Sequence, residues 1–123
     1  MNGNRLFADT NIILYFLQGK QEVIDLLVDK ELLLSEISEI ELLSFPNLSV
    51  EQEKELKSFI SECTVVGLNQ EVKNLTIALR KSTRQKVPDT IIAASAIYHK
   101  VPLITADKNF SRFEMLDLIL FEV

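Results

Sequence analysis

Short apolar runs alternate with helix-length segments from one end of this chain to the other, and that alternation constrains the fold more than any single residue. Residues 5–9, 32–34, 63–68, 101–106 and 118–121 read as strands. Between them lie helical stretches: one capped by Thr10 or Asn11 and running to Leu17, one over 20–30, and one that stops at Pro46. Three more follow, one starting at Ser49, one over 70–80, and one over 89–98 that Pro88 leads in. Strands and helices that alternate from end to end favour an α/β fold with a parallel sheet covered by helices on both faces.

Length and composition agree with a self-supporting fold. The 123 residues suit one domain spanning 1–123, with 47% hydrophobic and 25% charged residues. No apolar run approaches the roughly 20 residues of a membrane span, and no leader pattern precedes the first strand, so a cytoplasmic protein is expected. Cys63 is the single cysteine, which excludes an intrachain disulfide and a thiolate metal cluster and reads as a buried structural thiol. The net charge of −5 argues against a nucleic-acid coat protein. It does not exclude an enzyme that carries its acids in a metal site and its bases locally.

Four acids stand out by position. Asp9 ends the first strand and Asp107 follows the fourth, while Glu41 and Asp89 are expected in the first turns of helices. Ser38 and Glu41 match a capping box, and residues 35–38 before it read as a turn. In a parallel sheet, the strand C-termini and the N-termini of the following helices share one edge, so the four acids can meet there. Taken singly, Glu41 is explained by a cap, Asp89 by a helix start and Asp107 by a polar turn. Asp9 resists such an explanation, because it is flanked by Phe7, Ala8 and Ile12 with no obvious basic partner. Acids that converge need a cation, and hard oxygen ligands favour Mg²⁺ or Mn²⁺.

Other chemistries fit poorly. His99, the only histidine, lies near a helix end beside Lys100, and no nucleophile elbow is present. With 3 glycines, none clustered, there is no phosphate-cradling loop of the nucleotide-binding kind. The connector over 81–87 is basic, and Arg80, Lys81, Arg84 and Lys86 without interleaved aromatics suit phosphate contacts better than base stacking.

Four pieces in order carry a family resemblance: Asp9-Thr10-Asn11-Ile12-Ile13; Ile40-Glu41-Leu42-Leu43 with Phe45-Pro46; Val87-Pro88-Asp89-Thr90-Ile91-Ile92-Ala93-Ala94; and Leu103-Ile104-Thr105-Ala106-Asp107 followed by Asn109-Phe110. Over nearly its whole length the chain resembles the PIN-domain family, specifically the VapC-like ribonuclease toxins of type II toxin–antitoxin pairs. The resemblance implies a three-layer α/β/α sandwich with a central five-stranded parallel sheet in the order 3-2-1-4-5. It further implies Mg²⁺-dependent endoribonuclease activity, an acidic quartet at Asp9, Glu41, Asp89 and Asp107, an antitoxin partner and a homodimer. Thr10, Asn11, Ser38 and Thr105 are then the expected supports of the metal-binding acids. The chain departs from the family at Thr90, often alanine, and at Asn109, often a further acid, so one ion or two stays open. A non-catalytic binding module and a DNA-directed or structure-specific nuclease of the same fold are the alternatives.

Overall fold

The computed structural model describes residues 4–122. Its centre is a five-stranded sheet in the order β3-β2-β1-β4-β5 with every neighbouring pair parallel. The strands are β1 (Arg5–Ala8), β2 (Glu31–Ser35), β3 (Thr64–Val66), β4 (Leu103–Thr105) and β5 (Leu118–Leu120). The helices are α1 (Thr10–Leu17), α2 (Gln21–Leu27), α3 (Glu36–Leu43), α4 (Val50–Ser61), α5 (Gln70–Thr83) and α6 (Val87–His99), with a 3₁₀ turn at Lys108–Arg112. The expected architecture and strand order are both present.

Strand side chains alternate between two cores. Leu6, Ala8, Leu32, Leu34 and Ile104 pack with residues of α1, α2 and α4, including Ile12, Val23, Leu27, Leu56 and Ile60. Phe7, Leu33 and Leu103 point to the other face and pack with Val72 and Leu79 of α5 and with Ile92, Ala93 and Ala96 of α6. Both sheet faces are therefore covered, which is why the central strands are apolar at successive positions. The small residues of α6 are almost wholly buried, and they let that helix lie close to the sheet.

Several expected boundaries move. The N-cap of α1 is Asp9 rather than Thr10 or Asn11: its carboxylate accepts the Thr10 N–H. Residues 35–38 are not a turn, because β2 runs to Ser35 and α3 begins at Glu36 with Ser35 as its cap. The basic connector is shorter than 81–87, since α5 continues to Thr83 and closes on a left-handed Arg84. Ser49 and Gln52 form a capping box at the start of α4.

Candidate active site

The geometry of the site starts from the pairing of β1 with β4. Ala8 pairs with Ile104, and the Asp9 N–H donates to the Ile104 carbonyl at 3.1 Å. Asp9 and Thr105 therefore leave the sheet side by side. The Thr105 hydroxyl donates to Asp9 Oδ2 at 2.7 Å, while the Thr10 N–H donates to Oδ1 at 2.7 Å. The Thr105 oxygen also accepts the Asp107 N–H at 3.0 Å, so one fully buried hydroxyl ties two of the acids together. Burial pushes Asp9 up from 3.8 to about 6, helped by Asp89 and Asp107 and opposed by its two hydrogen bonds.

Glu41 is placed differently from the expectation. It lies in the second turn of α3 rather than the first, and Ser38 is a wholly buried helical residue, not a cap. Their spacing of three puts both on the helix face toward the start of α1. The Thr10 oxygen lies 2.8 Å from Ser38 Oγ and 2.9 Å from Glu41 Oε1. A hydroxyl has one proton, and an ionised carboxylate can only accept, so Thr10 donates to Glu41 and takes a bond from Ser38. These hydrogen bonds offset the burial of the two hydroxyls, and they orient an exposed glutamate.

Asp89 stands in the first turn of α6 as expected, after Pro88. Asp107 caps the 3₁₀ turn by accepting the Asn109 N–H at 2.9 Å. Asp9, Glu41, Asp89 and Asp107 line one open cavity, shared with Thr10, Asn11, Phe45 and Lys86. Burial raises Asp89, with Lys86 opposing and Asp107 and Glu41 adding to the shift. No three histidine, cysteine, aspartate or glutamate side chains among the described residues form a ready-made coordination cluster. Mg²⁺ keeps several waters and takes only one or two carboxylates directly, so it does not require such a cluster. The donor set is all oxygen, and Asp9 is a desolvated carboxylate with no ion pair among the described residues, so the residues suit a hard divalent cation.

The basic residues divide. Lys86 lines the acidic cavity, whereas Arg80 donates through Nε to the Gln85 carbonyl at 2.8 Å and braces the α5–α6 connection. Lys81 and Arg84 are exposed. Phe45, quoted only as part of a sequence motif, is the lining residue whose place was not foreseen; it also lines an apolar groove with Leu14, Leu17, Leu48 and Leu56. His99 lies at the end of α6 and feels Arg5 at the start of β1, the end of that strand away from Asp9. Cys63 is half-buried rather than buried, and desolvation pushes its thiol up to about 11.

The PIN-domain profile matches residues 6–115. The chain belongs to the PIN-domain family. No curated protein sequence matches this PIN domain. Among solved structures it is similar to a chain of a toxin–antitoxin complex from Klebsiella pneumoniae, at 25% identity and a TM-score of 0.83, covering 96% of this chain and 99% of that one. It is also similar to a chain of VapBC2 from Rickettsia felis bound to a promoter DNA fragment, at 20% identity and a TM-score of 0.84 over 96% and 99% of the two chains. A chain of VapBC-1 from nontypeable Haemophilus influenzae gives 22% identity and a TM-score of 0.82 over 94% and 97%. The PIN domain thus shares its fold with chains from toxin–antitoxin complexes, and none of its described helices is long and apolar enough to cross a membrane.

Proposed function

We propose that this PIN domain is a Mg²⁺-dependent endoribonuclease, able to use Mn²⁺, that hydrolyses RNA phosphodiester bonds as the toxin of a toxin–antitoxin pair. The observation that carries this reading is the gathering of Asp9, Glu41, Asp89 and Asp107 on one cavity at the C-terminal edge of the sheet. Asp9, Asp89 and Asp107 are the residues that would hold the ion, directly or through water. When bound, a divalent ion supplies Lewis acidity toward water and stabilises charge on the phosphate under attack.

The chain's own groups have distinct roles in this reading. Thr105 and the Thr10 N–H fix both oxygens of Asp9, so its carboxylate meets the cavity in one orientation. Thr10 fixes Oε1 of Glu41, and Oε2 is left to accept a proton from the attacking water. The water oxygen bonds to phosphorus as the in-line bond from phosphorus to the leaving oxygen breaks, and the leaving oxygen takes a proton from solvent. Lys81 and Arg84 approach the substrate backbone as charges rather than as readers of sequence.

An antitoxin partner belongs to the same reading, supported by the toxin–antitoxin complexes among the similar structures. The apolar groove beside Phe45 offers a protein partner a surface that adjoins the acids. A homodimer is part of the proposal as well, and sedimentation of the purified chain reads it.

The test is incubation of the purified chain, stripped of any co-purifying protein, with single-stranded RNA and DNA of one sequence in Mg²⁺, Mn²⁺ or chelator. RNA cleavage in either metal and none in chelator is the expected result. Cleavage of DNA alone would make the chain a DNA-directed nuclease, and no cleavage of either would make it a binding module.

A further inference from the structure

Lys86 is the one basic residue among those lining the acidic cavity. Its backbone is pinned, because the Lys86 carbonyl accepts both the Thr90 N–H at 2.9 Å and the Thr90 hydroxyl at 2.7 Å. The root of the side chain is therefore fixed at the start of α6, three residues before Asp89. Lys86 is exposed, and its ammonium forms no ion pair within 4.0 Å among the described residues, where such pairs join Arg5 to Glu31 and Lys57 to Glu53. A lysine held beside several carboxylates, yet bonded to none, is a cation kept available.

The charge of the cavity says what for. Four carboxylates carry more negative charge than one divalent ion neutralises, so a phosphodiester entering the loaded site still meets repulsion. We infer that Lys86 is a catalytic residue of the proposed hydrolysis: its ammonium contacts a non-bridging oxygen of the scissile phosphate at the mouth of the acidic cavity. Lysine suits this as a compact point charge on a flexible stem, and its attraction to the phosphate strengthens as negative charge develops there. The inference rests on the nuclease reading, and it separates Lys86 from Arg80, whose guanidinium is engaged within its own connection.

The same position makes Lys86 a competitor of the metal ion in the absence of substrate, and this gives a signature that a structural role lacks. In K86M, Mn²⁺ affinity measured by electron paramagnetic resonance should tighten roughly three-fold, because a repelling charge is gone. Cleavage of a labelled single-stranded RNA should fall about 10²-fold in kcat/KM, and K86R should restore most of it. Unchanged cleavage in K86M, or a loss of Mn²⁺ affinity alongside cleavage, would overturn the assignment. Lys86 is exposed, so K86M should fold; should circular dichroism show otherwise, K86Q takes its place with the same expectations. If the wild type cleaves no RNA, the nuclease reading fails by itself. Mn²⁺ affinity and RNA binding in Ca²⁺ then still decide the lysine: tighter metal and weaker RNA in K86M uphold its contact with phosphate, and no change in either refutes it.

Discussion

The hydroxyl of Thr105 donates to Oδ2 of Asp9 at 2.7 Å, across 96 positions of sequence. Because the same oxygen accepts the Asp107 N–H, it holds an acid side chain and an acid backbone in one geometry. Replacing it with nearly isosteric valine should cost about 1–3 kcal/mol in urea unfolding, the range for leaving buried partners unsatisfied. Mn²⁺ affinity should drop roughly 10- to 100-fold, as when an outer hydrogen bond to a metal ligand is lost. A T105V protein with wild-type metal affinity would make Thr105 a packing residue only.

Asp9 sets a pH dependence whose sign is fixed. Its carboxyl ionises near 6 in the folded chain and near 3.8 when unperturbed, so between those values the folded state holds a proton that the unfolded state releases. Stability from this group is therefore present at low pH and is lost as pH rises through the window. Asn at this position does not titrate. In chelator, wild type should lose about 1–3 kcal/mol relative to D9N between pH ~4 and ~7, as read by urea unfolding at each pH. A constant difference across that range would mean that Asp9 ionises normally.

Arg84 separates a backbone role from an electrostatic one. It adopts φ 59°, the left-handed region that glycine occupies without steric cost, and its N–H closes α5 on the Arg80 carbonyl. R84G should hold or raise stability by up to about 1 kcal/mol while weakening RNA binding. The salt dependence of that binding should become shallower by about one counterion. An unchanged salt slope would return Arg84 to a solvated surface role.

Much of this site was legible because its acids sit where local pattern and global topology coincide. Asp9 and Asp107 follow apolar strands, and Asp89 follows a proline that suits a first helical turn, so short stretches of sequence suffice. Glu41 reached the right cavity by the wrong local argument. The chain repeats serine three residues apart, Ser35 and Ser38, and each is a competent cap. What selects Ser35 is the length of β2, whose pairing with β3 extends through Ser35 to Val66. Strand lengths set by neighbours do not show in local periodicity. The Thr105–Asp9 bond needs the β1–β4 register, and Lys86 needs the extra turn of α5 that shortens the connector; both are tertiary facts. Phe45 carries no sequence signal beyond its motif, since an aromatic before proline also marks an ordinary helix end.

The most direct test of the central claim, that these acids form one divalent-ion site, is Mn²⁺ titration by electron paramagnetic resonance at pH 7.5 of wild type, D9N and D89N. Wild type should bind Mn²⁺ at a site that Mg²⁺ displaces, with affinity falling by roughly 10-fold or more in each variant. Equal Mn²⁺ binding by all three proteins would contradict the account.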